Sequence, residues 1–164
     1  MVTPTMPFDI NTTDTDVLTA FGANAAGKTI LITGPSQGGI GSQLALSLNC
    51  AKPKTLILAG RTASKIQPVV DEIVKIDPDV NVKMVKLDLL SNASVREALA
   101  QVKRYMDEVD ILINNARVMA TRTFVLSEDG VESQFAVNYL GHSLLTNLLV
   151  KEGLVRARGT RWPT

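Results

Sequence analysis

Short apolar runs alternate along the chain with longer segments whose apolar residues recur at helical spacing. Four of the short runs are almost continuously apolar or alternate tightly between apolar and polar residues, as strands of a covered sheet do. We therefore predict strands at TILIT (29–33), TLILA (55–59), NVKMVKL (81–87) and VDILIN (109–114).

The segments between and after these strands predict amphipathic helices. Their expected ranges are 41–51, 62–76, 92–106 and about 130–151. Thr62 and Asn92 are predicted N-caps, because their side-chain oxygens can accept hydrogen bonds from first-turn N–H groups. Pro68 lacks an N–H donor, so we expect it to shorten or kink its helix.

The resulting element order is βαβαβαβα. Such alternation predicts a parallel sheet with right-handed crossovers, and therefore a doubly wound α/β domain. The chain of 164 residues is long enough for one such domain. Residues 1–26 are expected to form a partly disordered leader, and residues 151–164 an irregular tail.

Composition excludes several classes of protein. The net charge of +1 gives no reason to expect a nucleic-acid partner. Cys50 is the only cysteine and cannot form an internal disulfide, which favours a cytoplasmic location. We expect its side chain to be buried. The most apolar long segment, FAVNYLGHSLLTNLLV (135–150), contains polar residues and is short of a membrane span.

His142 is the only histidine. From a single histidine we expect neither a histidine-based catalytic triad nor a metal site with several histidine ligands. We therefore predict no metal site, and we interpret His142 as an ordinary residue of the last helix.

A glycine-rich loop connects the first predicted strand to the first predicted helix, in TILITGPSQGGIGSQLALSL (29–48). A strand before the glycines and a helix after them is the context of a dinucleotide-binding loop. Glycine lets the backbone approach a pyrophosphate, whose charge the N–H groups of the helix N-terminus can meet. The alternative is a tight turn that binds no ligand, and the density of glycines favours the first interpretation.

A second phosphate-binding pattern lies just upstream. GANAAGKT (Gly22–Thr29) satisfies G-x-x-x-x-G-K-[ST], the phosphate loop of ATPases and GTPases. That loop requires a helix after it, whereas a predicted strand follows here. A phosphate-loop NTPase that uses Lys28 therefore stays a remote alternative.

Four further motifs follow the glycine loop in order. They are LILAGRT (56–62), LDLLS (87–91), ILINNARVMA (111–120) and EDGVESQFAVNYLGHSLLTNLL (128–149). Together with the loop, they resemble the short-chain dehydrogenase/reductase family, especially its retinol-dehydrogenase-like and fungal biosynthetic branch. The resemblance covers roughly residues 27–150 and implies an NADP-binding Rossmann-type domain, with four strands in the order 3-2-1-4.

The resemblance also implies an activity and assigns cofactor-binding residues. The activity is NADP(H)-linked interconversion of a small-molecule carbonyl and alcohol, with a role in secondary metabolism as one expectation. The family loop reads T-G-x-x-x-G-x-G, and this loop is one residue longer, with Gly38 as the extra residue. Pyrophosphate contacts are expected from Gly34, Ser36, Gly39, Ile40 and Gly41.

The end of the second strand bears on the choice of cofactor. An NAD enzyme of the family carries an acidic residue there, whereas this chain has Gly60 followed by Arg61. A guanidinium can pair with a 2′-phosphate, so NADP(H) is favoured over NAD(H). The alternative is that Arg61 is a solvated arginine at the start of a helix.

Three more positions match family residues. Asp88 resembles the residue that binds the adenine amino group, and Asn115 resembles the asparagine beside the cofactor ribose. A helix-capping aspartate and an asparagine that braces neighbouring strands are the alternatives. Asn138 matches the asparagine of the family's proton relay.

The sequence departs from the family in two places. Arg117 replaces the glycine of N-N-A-G, where it either swings out to solvent or obstructs the site. The family's Tyr-x-x-x-Lys pair and its serine have no match, since Val109 and Ser143 lie four residues after the only two tyrosines. We expect the C-terminal half of the family fold to be missing, through premature termination, a frameshift or a retained intron.

These departures leave two interpretations of what the chain does. The first is a truncated oxidoreductase that binds cofactor without turnover. The second is a non-catalytic module that binds a dinucleotide or a protein partner through its last helix. In either case we expect self-association through the last helix or through the open edge of the sheet, because a longer family member would cover both.

Overall fold

Four parallel strands form one sheet in the computed structural model, which describes residues 8–155. The strands are β1 (Thr29–Thr33), β2 (Thr55–Gly60), β3 (Asn81–Lys86) and β4 (Ile111–Ile113). Their spatial order is β3-β2-β1-β4, which confirms the predicted order 3-2-1-4. The order reverses between β1 and β4, because the chain crosses back over the sheet before it forms β4.

Helices connect and follow the strands. They are α1 (Asp14–Phe21), α2 (Ile40–Cys50), α3 (Ala63–Ile76), α4 (Asn92–Tyr105), α5 (Ser133–Phe135) and α6 (His142–Lys151). A π-helical segment, Ala136–Gly141, joins α5 to α6, so the predicted last helix is one helical run with an irregular middle. Within the part of the chain that the structure describes, none of the helices has the length and apolar character needed to cross a bilayer.

Side chains of β1 and β2 alternate between two apolar layers. Ile30, Ile32, Leu56 and Leu58 pack on one face, with the buried side of α3. Leu31 and Ile57 point to the other face, where α4 and α6 cover them. Successive strand residues face opposite sides of a sheet, so a continuously apolar strand implies helices on both sides. The doubly wound α/β class is therefore confirmed.

The structure refines three details of the predicted helices. Ser91, not Asn92, is the N-cap of α4, and its Oγ accepts a hydrogen bond from the Ser94 N–H at 3.3 Å. Thr62 is the N-cap of α3, but its side chain makes no capping hydrogen bond. Pro68 does not end α3, because buried residues on either side of it, Ile66 and Val69, hold the helix on the sheet.

Helix α1 is not among the predicted elements. Its signal is a capping box, in which Thr13 Oγ1 accepts from the Asp16 N–H and the Asp16 carboxylate accepts from the Thr13 N–H. Asp14 ties α1 to α2 by accepting from Ser47 Oγ at 2.5 Å and Gln43 Nε2 at 2.9 Å. These two hydrogen bonds, Ser47 first, lower the pKa of Asp14.

Parts of the predicted termini lie outside the described residues. These are residues 1–7 of the predicted leader and residues 156–164 of the predicted tail. The prediction that Cys50 is buried is wrong, since it is exposed. It is the last residue of α2, where the helix ends at the surface.

Candidate functional site

A cavity of about 820 Å³ lies at the carboxyl ends of the strands, beside the point where the strand order reverses. This is the position at which open α/β sheets bind ligands, and the volume suits a small-molecule or cofactor site. Seven of the nine predicted site residues line it: Gly34, Ser36, Ile40, Gly41, Arg61, Asp88 and Asn115. Gly39 and Asn138 are not among the lining residues.

Two glycines of the loop are required by a neighbouring loop. A Cβ atom on Gly34 would lie 2.7 Å from Cα of Ala116, and Gly34 has a φ of +69°. A Cβ atom on Gly41 would lie 2.4 Å from Nδ2 of Asn115. The loop after β4 therefore packs directly on the glycine loop. Gly38, at a φ of +77°, has open space around it.

The first turn of α2 borders the cavity. Gly39 is its N-cap and makes no side-chain capping hydrogen bond. N–H groups of a helix's first turn have no acceptor within the helix, and those of Ile40 and Gly41 belong to this set. The first turn carries no acidic residue, and the Ile40 side chain is 83% exposed. Such a helix start favours an anionic group, with an apolar side chain beside it.

Two basic side chains line the cavity at the end of β2. Arg61 follows the strand directly, and Lys65 lies on the first turn of α3. The Lys65 carbonyl accepts a hydrogen bond from the Gln37 N–H at 2.9 Å, so the glycine loop holds this turn in place. Lys65 was not singled out from the sequence. The feature of the sequence that could have identified it is a second basic residue four positions after Arg61, at the start of the helix.

Asp88 lies after β3 with its side chain in the cavity wall. Its Oδ1 accepts from the Leu90 N–H at 3.0 Å, and its own N–H donates to Ser94 Oγ at 2.9 Å. These bonds fix the turn before α4. Since Ser91 caps that helix, the alternative in which Asp88 is the cap does not describe the structure.

Asn115 lines the cavity and also braces two strands. Its Nδ2 donates to the Thr33 carbonyl at 2.9 Å, and its backbone N–H donates to Thr33 Oγ1 at 3.0 Å. The structure therefore agrees with the alternative in which Asn115 braces neighbouring strands, and its amide nitrogen makes one of the contacts.

Arg117 lies in the loop after β4, and Asn138 binds this loop from the π-helical segment. The Arg117 side chain is exposed, and its Nη2 contacts Sδ of Met119. Arg117 nevertheless contributes to the cavity wall. Asn138, in the π-helical segment, accepts from the Val118 N–H at 2.9 Å and donates to the Val118 carbonyl at 2.8 Å. Its amide thus holds the loop that lines the cavity.

Gly22–Thr29 does not form a phosphate loop. A 3₁₀ turn covers Gly22–Asn24, and the motif runs into β1 rather than into a helix. Lys28 pairs with Asp110 at 3.1 Å, and the other oxygen of Asp110 accepts from the Thr29 N–H. These contacts lie at the amino ends of β1 and β4, opposite the cavity, so Lys28 is a structural residue.

A parallel α/β sheet with a glycine-rich loop and a cavity at its strand-order reversal defines a Rossmann-type dinucleotide-binding protein. The model of the short chain dehydrogenases matches residues 28–160, and the chain belongs to that family of oxidoreductases. The family binds a nicotinamide dinucleotide. The residues present fit such a cofactor, because a helix start without acidic residues and two basic side chains face one cavity.

Several curated relatives are similar in sequence. Oxidoreductase fscI of Fusarium equiseti is 37% identical over 145 residues, which make up 88% of this chain and 56% of that protein. Retinol dehydrogenase 13 of Mus musculus is 43% identical over 128 residues, or 78% of this chain and 37% of that protein. The chain thus spans about half the length, or less, of these relatives.

Solved structures share the fold. A short-chain type dehydrogenase/reductase from Mycobacterium marinum has a TM-score of 0.63 and 27% identity, over 78% of this chain and 49% of that chain. A short chain dehydrogenase from Mycobacterium smegmatis has a TM-score of 0.66 over 78% of this chain and 53% of that chain. At 19% identity, the second similarity concerns the fold alone.

Proposed function

We propose that this chain binds NADP(H) in preference to NAD(H). The observation that carries the proposal is the pair of basic side chains, Arg61 and Lys65, in the cavity wall at the end of β2. Gly60 provides no carboxylate there to repel a 2′-phosphate, and a guanidinium can bind a phosphate through two parallel hydrogen bonds. The 2′-phosphate lies between these two side chains in the proposal.

The remaining cavity residues have proposed roles along the dinucleotide. The first turn of α2, with Ser36 and the glycine loop, binds the pyrophosphate through N–H groups and a hydroxyl. Asp88 accepts from the adenine amino group through one carboxylate oxygen, while its other oxygen accepts from the Leu90 N–H. Asn115 lies beside the ribose, and Ile40 covers the bound cofactor. Each role uses a residue that the structure brings to one cavity.

The proposed chemistry of the whole protein is NADP(H)-linked interconversion of a small-molecule carbonyl and alcohol. The bound nicotinamide would supply or accept a hydride. The names of the relatives, an oxidoreductase and a retinol dehydrogenase, support an alcohol or carbonyl substrate. A role in secondary metabolism and a cytoplasmic location complete this proposal, the latter because the single cysteine cannot form an internal disulfide.

For the polypeptide of 164 residues alone, we propose cofactor binding without turnover. A carbonyl that receives a hydride also needs a proton, and a positioned general acid contributes about 10²–10⁴-fold. The two tyrosines are Tyr105, at the end of α4, and Tyr139, in the π-helical segment, and neither precedes a lysine by four residues. Neither of them lines the cavity. Asn138 carries an amide that cannot donate a proton to an alkoxide.

Direct binding measurements test the proposal. Titration calorimetry with NADP⁺ and NAD⁺ is expected to give a smaller dissociation constant for NADP⁺, and equal constants would contradict the preference. Incubation with NADPH and a panel of aldehydes and ketones is expected to leave the absorbance of the reduced nicotinamide unchanged. Turnover near 1 s⁻¹, roughly the low end for ordinary enzymes, would show that the missing tyrosine and lysine are not required.

A second candidate is a non-catalytic module that binds a protein partner. The observation in its favour is the exposed pair Phe135 and Tyr139, whose rings stack at a centroid distance of 5.3 Å on the last helical run. Exposed aromatic side chains of this kind are enriched at protein interfaces. If cofactor binding does not depend on these two residues and the chain does not self-associate, this candidate has no support.

A further inference from the structure

Thr33, the last residue of β1, has a completely buried side chain with several hydrogen-bond partners. Its Oγ1 accepts from the N–H groups of Asn115 and Ala116, each at 3.0 Å. A hydroxyl oxygen has two acceptor positions and one donor hydrogen, so these two bonds leave the hydrogen to donate. The possible acceptors are the Ile113 carbonyl at 3.4 Å and His142 Nε2 at 2.8 Å.

The shorter distance assigns the Thr33 hydrogen to His142. An Nε2 atom that accepts a hydrogen bond carries no proton, so a neutral imidazole must carry its proton on Nδ1. His142 is only 6% exposed, and its burial lowers its pKa, which favours the neutral ring. A hydrogen bond between the ring and the Asn138 backbone raises the pKa of His142 by less and suits an Nδ1–H that donates to the Asn138 carbonyl.

The position of His142 in the helical run explains why its side chain reaches this carbonyl. In a regular α-helix the N–H of residue 142 would donate to the carbonyl of residue 138. Here the His142 N–H donates to the Tyr139 carbonyl, at the end of the π-helical segment. The Asn138 carbonyl therefore lacks this regular helical donor, four residues before the imidazole.

These contacts hold the loop 115–118 at both ends. Thr33 binds its first two N–H groups, and the Asn138 side chain binds both backbone groups of Val118. His142 lies between the two attachments, with Thr33 on one side and the Asn138 backbone on the other. The loop between them lines the cavity and packs against Gly34 and Gly41.

We propose that His142 is a positioning residue of the dinucleotide site. Its neutral, Nδ1-protonated imidazole joins the Asn138 carbonyl to the Thr33 hydroxyl and thereby fixes the loop 115–118 against the glycine loop. His142 touches no cofactor atom in this proposal. The role rests on the proposed cofactor site, but the proton arrangement is a property of the chain alone.

The protonation state can be measured directly, since the chain has one histidine. In the wild-type chain labelled with ¹⁵N-histidine, long-range ¹H–¹⁵N spectra at pH 7.5 are expected to show a neutral ring with the proton on Nδ1. A ring protonated on Nε2, or on both nitrogens, would overturn the proposal. This result does not depend on cofactor binding, so it remains decisive even if NADP(H) does not bind.

Variants test the positioning role. His142→Phe keeps a planar ring without nitrogen atoms, and His142→Gln keeps an acceptor for the Thr33 hydroxyl. We expect faster amide exchange at Asn115 and Ala116 in His142→Phe and partial recovery in His142→Gln. NADPH affinity is expected to fall about three- to tenfold in His142→Phe, the effect of losing one buried hydrogen bond.

Asn147→Ala is the matched control, because it removes an exposed side chain of the same helix that bonds only within that helix. It is expected to match the wild type in amide exchange and affinity. Unchanged exchange at Asn115 and Ala116 in a folded His142→Phe variant would also overturn the proposal. If that variant does not fold, the ¹⁵N spectrum of the wild type still decides.

Discussion

Gly41 and Asn115 both line the cavity and are in direct contact, since a Cβ atom on Gly41 would lie 2.4 Å from Nδ2 of Asn115. That nitrogen donates to the Thr33 carbonyl at 2.9 Å and cannot move without losing the bond. The start of α2 and the loop after β4 are therefore one packed unit. Gly41, which is proposed to approach the pyrophosphate, is also required by the protein's own packing.

The first prediction concerns Gly41→Ala. The added methyl group must displace the Asn115 amide, and overpacking of this kind costs about 1–3 kcal/mol of the free energy of unfolding. Chemical denaturation measures the loss. Gly22→Ala is the control, because its Cβ would make only ordinary contacts, the nearest at 3.7 Å to Ala51. Equal stability of the two variants would contradict the close contact.

The second prediction concerns cofactor choice. Arg61→Ala and Lys65→Ala are each expected to weaken NADP⁺ binding far more than NAD⁺ binding, since a charged hydrogen bond to phosphate contributes about 1.5–3 kcal/mol. Titration calorimetry with both cofactors measures the difference. Lys75→Ala removes a positive charge from the last turn of the same helix as Lys65 and should change neither affinity. Parallel losses for both cofactors would argue against a 2′-phosphate site.

Lys28→Ala distinguishes the dinucleotide site from a phosphate loop. We expect unchanged NADPH affinity, because Lys28 pairs with Asp110 at the opposite edge of the sheet. The Lys28 side chain is 35% exposed, so loss of the pair should cost no more than about 1 kcal/mol of stability. Fluorescence titration and denaturation provide the two values. Loss of nucleotide binding in this variant would revive the NTPase alternative.

The pH dependence of the free energy of unfolding should reveal the lowered pKa of His142. Burial lowers its pKa in the folded chain, whereas in the unfolded chain the pKa is about 6.5. As the pH falls below about 6.5 the unfolded chain takes up a proton that the folded chain does not, so the free energy of unfolding falls. The slope attributable to one proton is at most about 1.4 kcal/mol per pH unit.

Denaturation of the wild type and of His142→Gln at pH 7.5 and pH 5.5 isolates this contribution. The variant has no histidine and should lose less stability over this interval. Carboxylates, whose titration occurs mainly below this range, affect both proteins alike. The same loss in both proteins would mean that His142 titrates normally in the folded chain.

Self-association is the fifth prediction. Phe135 and Tyr139 are 52% and 60% exposed on the last helical run, and β4 is an edge of the sheet formed by the described residues. Light scattering after size-exclusion chromatography is expected to give a mass above the chain's 17.7 kDa. Replacing both aromatic residues with serine should lower the mass, whereas Val74→Ser, on α3, should not. A wild-type monomer at all concentrations would disprove the expectation.

The sheet could be predicted from the sequence because its central strands are apolar on both faces. β1 has the predicted range, and β2 differs by one residue, Gly60. β4 is three residues long, because only Ile111–Ile113 pair with β1, whereas the apolar pattern runs over six residues. Pattern identifies a strand, but pairing with a neighbour sets its ends.

The candidate site could be predicted in part. Motif positions led to the seven residues that line the cavity. The sequence led to an interpretation of His142 as an ordinary helix residue and did not single out Lys65, because their contacts are with residues that are distant in the sequence, such as Thr33, or in another element, such as Gln37. Helix α1 carries a local signal in Thr13 and Asp16, but its apolar pattern is weak, and it has no buried residue.

The hydrogen bond from the Gln37 N–H to the Lys65 carbonyl limits how parts of this site can be exchanged with those of other proteins. This bond links the conformation of the glycine loop beside Gly38 to the placement of Lys65. We expect a glycine loop shortened by one residue at Gly38 to lose this anchor for the first turn of α3. If the proposed 2′-phosphate site is correct, a change of cofactor preference requires the loop and the start of α3 to be exchanged together.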